Sequence, residues 1–404
     1  MINLEIPRKF DPLVVQAHRI ASDVFRPISR KYDEAEHTYP KELDMLAALI
    51  DGMNDGSEHG GSGAGGVGRD KSNGDKVRNG TNMSTALGIM ELGWGDVGLL
   101  LSMPRQGLGN SAIAAVANDE QRERFNGKWA AMAITEPEAG SDSAAIRTTA
   151  TLDEQTGEYV LNGEKIFVTA GERAELIVVW ATLDRSLGRP AIKSFVVERS
   201  NPGLKLDRLE HKLGIRASDT ANFVLEDCRV PKENLLGSPE IDVKRGFGGV
   251  MQTFDSTRPL VAAMAVGLTG ACLYETRHLL LEAGVDPDPD IPVALQSAAA
   301  AELLAMQADY EAARLLTLEA CWMADNAKPN SLNASMAKAK AARTCVDVAM
   351  RCVRLCGSLG YGEQMLLEKW ARDAKILDLF EGTQQIQLLI IARQLLGKTS
   401  AELR

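Results

Sequence analysis

Close-paired cysteine is missing from this chain: six cysteines are present, and none occurs in a Cys-x-x-Cys pair. That removes the commonest arrangement of structural thiolate ligands. Cys345, Cys352 and Cys356 fall at i, i+7 and i+11, on one face of a helix, with no histidine beside them to complete a metal site. Buried reduced thiols are expected there, and no metal. Positive charge is also in deficit. Lys and Arg total 45 against 55 Asp and Glu, giving a net charge of −10 and a pI near 5.2. A nucleic-acid partner, which selects a basic face, is therefore not expected. The opening "MINLEIPRKF" carries neither a basic stretch followed by an apolar one nor a transit signature. The longest near-apolar run, residues 260–273, is too short to cross a bilayer. The expectation is a soluble cytoplasmic protein with no membrane partner.

What is present falls into three regions. The chain has 404 residues, 45% hydrophobic, enough for a large core divided into two or three domains. Residues 1–130 read as helices, with apolar side chains at three- and four-residue spacing and Pro40 as a breaker. Within them, 51–80 is Gly-rich and nearly free of large apolar side chains. A segment of that kind cannot recover its ordering entropy by burial, so a mobile loop is predicted. Residues 131–243 switch to period two. Strands are predicted in "LIVVWATLD", "IKSFVVER" and "NFVLEDCRVP", and Asn162-Gly163 inside "EYVLNGEKIFVT" signals a hairpin. Residues 244–404 return to long helical periodicity with short connections, the pattern of a bundle.

Two stretches carry chemistry. In "AMAITEPEAGSDSA" (131–144) an apolar strand runs into a Gly-Ser-Asp turn. Gly140 permits close backbone approach to a ligand there, and Thr135 and Ser141 offer hydroxyl donors. In "LFEGTQQIQ" (379–387) a carboxylate, Glu381, follows Leu379 and Phe380 directly. Carboxylates are rarely set against apolar side chains unless something compensates the lost hydration.

"AITEPEAGSD" resembles the first signature of the flavin-dependent acyl-CoA dehydrogenases. The resemblance continues through "LNGEKIFVTAG", "KLGIRASDT", "LEDCRVPKENLLG", "FDSTRP", "EKWARDAKI" and "FEGTQQIQ", in family order, across the chain apart from the Gly-rich loop. It implies an N-terminal helical domain, a small β barrel or sandwich, and a C-terminal four-helix bundle: a mainly α protein with a middle β domain. It also implies FAD between the β domain and the bundle. Met132, Ile134, Thr135, Gly140 and Ser141 would contact the ring, and Phe167 and Thr169 would flank it from "FVT". Thr383 and Gln385, with Gln384 between them, would lie close by. Ser141, Asp255, Arg258 and Gly382 would meet the acyl-CoA substrate; Asp255 can accept from pantetheine amides and Arg258 brings charge and a donor fork.

The activity implied is α,β-dehydrogenation of an acyl-CoA thioester to the trans-2-enoyl-CoA, as in fatty acid β-oxidation. Glu381 would take the α-proton while a hydride leaves the β-carbon for the flavin. In the family the thioester oxygen is held by a flavin ribityl hydroxyl and by the backbone N–H of the glutamate itself. A carboxylate ordinarily titrates near ~4.3, so its apolar neighbours and the acyl chain would have to desolvate it to make a useful base. The electron acceptor implied is an electron-transferring flavoprotein. The alternatives are an acyl-CoA oxidase, whose usual extra C-terminal domain is absent here, and a non-catalytic subunit of a dehydrogenase complex.

Two departures from the family pattern point the same way. Where homo-oligomeric members carry an Arg and a Phe that reach the neighbouring subunit's flavin, this chain reads "LEAGVDPDPDIPVALQ" (281–296), with neither residue and with Asp286, Asp288 and Asp290 instead. Carboxylates facing a pyrophosphate would repel it. Where the family has Gln-x-x-Gly-Gly-x-Gly, Arg354 stands for the Gln and Ser358 for the second Gly. A two-plus-two hetero-oligomer with a homologous partner subunit is expected, this chain supplying base and acyl site. In "GLLLSMPRQGLG" (98–109), Arg105 is read as a salt-bridged surface residue or as a group recognising a polar acyl tail.

Overall fold

The computed structural model describes residues 6–47, 80–104, 107–241, 248–399 and 402, without the side chains of 248–256. The mobile loop predicted over 51–80 lies, but for Gly80, outside the described residues, as do Arg105 and the side chain of Asp255. Helix α1 (Asp11–Ile20) passes through a wide π turn at Ala21–Phe25 into α2 (Arg26–Glu34). After the glycine-rich stretch come α3 (Thr81–Gly95) and α4 (Val97–Ser102), hinged at Asp96, whose side chain accepts from Leu99 N at 2.8 Å. Next are α5 (Leu108–Val116) and α6 (Asp119–Phe125); a reciprocal Asn118–Gln121 capping box starts the latter.

The period-two region forms one seven-stranded sheet from β1 (Ala130–Ala133), β2 (Thr149–Asp153), β3 (Glu158–Thr169), β4 (Leu176–Thr182), β5 (Ile192–Glu198), β6 (Leu204–Leu209) and β7 (Thr220–Pro231). The order is β1-β4-β2-β3-β7-β6, with β5 beside β4. Every residue of β4 is buried because its two faces serve two cores. Ile177, Val179 and Ala181 join Phe195 and Phe223 inside the sheet, while Leu176, Val178 and Trp180 meet Ile113 of α5 and Phe125 of α6.

The hairpin predicted at Asn162-Gly163 is not there. Both residues sit inside the continuous strand β3, where a register shift between Leu161 and Gly163 marks a bulge against β7. Gly163 has φ 154°, and a Cβ on it would lie 2.4 Å from Thr148 Oγ1, so the glycine serves strand packing rather than chain reversal. The β2–β3 reversal comes earlier, where Gly157 N donates to Asp153 O at 2.8 Å.

The chain ends in α7 (Gly248–Glu282), α8 (Ala298–Asp325), α9 (Ser331–Tyr361, broken at Gly357 with φ 56°), α10 (Leu367–Leu377) and α11 (Gln384–Leu396). The Thr257–Glu282 part of α7 is long and apolar enough to cross a bilayer, unlike the shorter run visible in sequence. It is the central helix of the protein, with 83% of its most apolar window buried. Met83, Leu87 and Met90 of α3 share one core with Leu260 and Val266 of α7, Val348 of α9 and Trp370 of α10. The helices before and after the sheet therefore form a single packed body. The architecture is mainly helical with a middle β domain. All six cysteines are free thiols; Cys345 and Cys352 are buried and pushed up to about 12 by that burial.

Candidate active site

A cavity of about 1290 Å³ opens where the sheet edge, the helical body and the α10–α11 turn converge. Met132, Ile134, Thr135, Gly140, Ser141, Phe167 and Thr169 line it from the sheet, and Arg258, Glu381, Gly382 and Thr383 from the helices. Gln385 does not; it is exposed on α11. Asp255, one turn before the lining residue Arg258, has no described side chain.

Glu381 is placed by a stiff turn. Helix α10 stops with Leu379 N and Phe380 N both donating to Ile376 O, at 2.9 and 3.0 Å. Glu381 then takes φ 54° and Gly382 φ 88°. For a residue with a Cβ the left-handed region costs ~1–2 kcal/mol, so surrounding contacts must hold it. Fully buried Gln387 donates from Nε2 to Glu381 O and to Gly382 O, each at 3.1 Å. Buried Lys338 donates to Gly382 O at 2.7 Å. Among the described residues, no acceptor takes the Glu381 N–H. Thr383 closes the turn by capping α11, its hydroxyl accepting from Ile386 N at 3.4 Å.

The carboxylate itself accepts from Thr257 Oγ1 at 2.7 Å. Burial raises the Glu381 carboxyl above the usual range; the Thr257 hydroxyl and the charges of Arg258 and Lys338 oppose that rise without cancelling it. Lys338 is itself lowered to about 8 by burial, against the pull of Asp378 and Glu381. Thr257, Lys338 and Gln387 were not singled out in the sequence. Thr257 stands inside the quoted "FDSTRP", and a lysine amid the small residues of "ASMAKAKAA" was the available sign for Lys338.

The sheet wall is equally fixed. Lys165, with no exposed surface, donates to Ile134 O at 3.0 Å and to Glu136 Oε1 at 2.7 Å. Glu136 also accepts from Arg147 N at 2.5 Å and from the Thr148 hydroxyl at 2.6 Å. Burial would raise the Glu136 carboxyl, but Lys165 and these donors hold it below its ordinary value. That network braces the turn carrying Thr135, Gly140 and Ser141. A second bulge in β3, between Lys165 and Val168, puts Phe167 at φ 57° with its N–H on Asn222 Oδ1 at 3.1 Å. Phe167 is left 56% exposed and lines the cavity.

Behind the cavity, Lys369 and Asp373 of α10 form a buried cluster with Asp96. Asp373 Oδ1 accepts from Ile215 N at 2.5 Å, fastening the "KLGIRAS" segment to α10. Burial would lower the Lys369 amine, yet Asp373 and Asp96 raise it above its normal value. In the departing loop, Asp288 Oδ1 accepts from Asp290 N at 2.9 Å and Arg277 donates to Pro287 O at 3.2 Å. Arg354 pairs with Glu302 of its own chain.

A large, flat cofactor fits these walls. An exposed aromatic ring is held on a bulge, hydroxyls of Thr135 and Thr169 stand near it, and open space faces Gly140, where an added Cβ would meet nothing within 4 Å. The acyl-CoA dehydrogenase middle domain matches residues 131–228, and the acyl-CoA dehydrogenase C-terminal domain matches residues 244–396. The chain is 30% identical to an acryloyl-CoA reductase (NADH) of Anaerotignum propionicum, over 98% of this chain and 97% of that protein. It is 36% identical to the mitochondrial short-chain specific acyl-CoA dehydrogenase of Rattus norvegicus, over 78% of this chain and 75% of the relative. Butyryl-CoA dehydrogenase from Megasphaera elsdenii superposes with a TM-score of 0.84 at 29% identity, covering 98% of this chain and 100% of that one. A chain from structural work on the electron transferring flavoprotein of Acidaminococcus fermentans gives 0.80 at 29% identity, covering 98% and 100%. The chain belongs to the acyl-CoA dehydrogenase family, whose cofactor is FAD.

Proposed function

We propose that this chain interconverts an acyl-CoA thioester and its trans-2-enoyl-CoA, with Glu381 accepting the α-proton in the dehydrogenation direction. The observation that carries this reading is the Glu381 carboxylate in the cavity, oriented by Thr257 and raised by burial. Thr257 occupies one carboxylate oxygen and leaves the other for the C–H. The raised carboxyl makes a stronger base than a solvated one. The Glu381 N–H is available to the thioester oxygen as negative charge develops there. FAD, when bound, supplies the acceptor for the hydride lost from the β-carbon. Phe167, Thr135, Ser141 and Thr169 would hold it against the sheet wall.

Relatives named for their substrates act on short acyl groups, so a short-chain thioester is the first candidate. A second direction is supported by the reductase aligned over 98% of this chain. By microscopic reversibility Glu381 would then deliver the proton to the α-carbon. Anaerobic mixing of the FAD-bound protein with butyryl-CoA through palmitoyl-CoA tests the reading: flavin bleaching by one chain-length class is expected, and no bleaching by any thioester contradicts it.

The Arg- and Phe-free loop at 281–296 and the use of Arg354 within its own chain support a hetero-oligomer with a homologous subunit. An electron-transferring flavoprotein is the electron partner we infer, in line with the structural neighbour from that system. Flavin content and mass of the chain alone and co-expressed with a homologue separate these cases; a flavin-replete homotetramer from this chain alone would sink the hetero-oligomer.

A further inference from the structure

No metal is expected from the cysteines, but the adjacent Glu36 and His37 meet a histidine distant in sequence, His211, beside the cavity wall. Glu36 and His37 follow the end of α2, and His211 lies between β6 and β7. One donor atom from each lies within 4.8 Å of the others, and the two imidazole rings stand 4.9 Å apart, edge to face. Glu36 is oriented from outside the cluster: its Oε1 accepts from Lys212 N at 2.9 Å, and its Oε2 meets His211 Nδ1 at 2.8 Å. Both ring nitrogens of His37 are shielded from solvent, with no hydrogen-bond partner among the described residues. Ring nitrogens shut off from water with no partner, on a half-buried imidazole, are a costly arrangement unless something bonds to them.

We propose that Glu36, His37 and His211 bind a divalent first-row transition ion, with Zn²⁺ as the probe, and that the ion ties the end of α2 to the cavity-wall segment starting at His211. Two imidazoles and one carboxylate suit Zn²⁺ and its neighbours, with open positions left to water. Metal–ligand bonds of about 2.0–2.2 Å ask for donor separations of roughly 3.3 Å. His211, whose side chain is 83% exposed, is free to turn inward by that amount. The backbone N–H of Lys212 on the carboxylate supplies the kind of outer hydrogen bond that fixes a ligating group. The Lys212 amine beside the cluster is engaged elsewhere: Lys212 Nζ donates to Ser218 O at 2.9 Å and Glu210 O at 3.4 Å. His211 and Lys212 also line the cavity, so an ion here would stiffen one of its walls.

Calorimetric titration of the chelator-stripped, full-length protein with ZnCl₂ tests the site. One saturable Zn²⁺ per chain is expected, weakened by at least the ~10–100-fold that loss of even an outer-sphere partner produces, in both His37→Gln and His211→Gln. His211 is exposed enough that its replacement leaves folding intact, verified by circular dichroism, so that variant decides the matter if His37→Gln misfolds. Absence of saturable binding, or binding unchanged in His211→Gln, overturns the proposal.

Discussion

Thr257 on α7 and Glu381 in the α10–α11 turn, 124 residues apart in the chain, meet at 2.7 Å, the hydroxyl donating to the carboxylate. This bond favours the ionised form and so opposes the rise that burial imposes. Thr257→Val removes the donor and keeps the shape. The Glu381 pKa then moves further up, and the acid limb of the rate–pH profile shifts toward alkaline pH. A profile of flavin reduction against pH measures it; an unmoved limb would show that the hydroxyl does not reach the working carboxylate.

Stability should move opposite to function at the same residue. The folded-state pKa of Glu381 is raised, so the native protein holds that proton more tightly than the unfolded chain. The stabilisation is present below the unfolded value, ~4.3, and is lost as pH rises through the folded value. Glu381→Gln is never ionised. It is expected to resist urea better than the parent at neutral pH, with the difference closing on acidification. A variant less stable than the parent at neutral pH contradicts this.

The Asp96–Lys369–Asp373 cluster is wholly buried, and removing its single cation strands two carboxylates. Lys369→Met should cost about 3–5 kcal/mol of unfolding free energy and loosen the 213–215 segment that Asp373 holds through Ile215 N. Urea denaturation reads the first effect and hydrogen exchange at Ile215 the second. A loss comparable to a surface substitution would refute the cluster's role.

Phe167 should act on cofactor retention rather than on folding, because the residue is already more than half exposed. Phe167→Ala is expected to weaken FAD binding by roughly twofold to thirteenfold, the equivalent of an aromatic contact of ~0.5–1.5 kcal/mol. Unfolding free energy should be nearly unchanged. Fluorescence of released flavin on dilution follows the first quantity.

The helix–sheet–helix order was legible in local pattern, whereas the meeting of Glu381, Thr135 and Phe167 on one cavity was expected only through the motifs' resemblance to a family. What escaped it depends on distance along the chain. Nothing near Lys165 announces that it reaches Glu136, 29 residues earlier, nor does α10 reveal that Lys369 will find Asp96, 273 residues away. The Asn162-Gly163 misreading has a local cause: a glycine suited to a turn equally suits a strand pressed against Thr148, and only the partner strand decides between them. The shared core of α3 and α7 was hidden for the same reason, since periodicity shows that a face is buried but not against what.

The central claim is that Glu381 takes the α-proton. Its most direct test is rapid mixing of FAD-bound Glu381→Gln with the thioester that bleaches the parent protein. The variant should bind ligand and retain flavin, with reduction slowed by at least the ~10²–10⁴-fold that a general base contributes. Bleaching at the parental rate would contradict the claim.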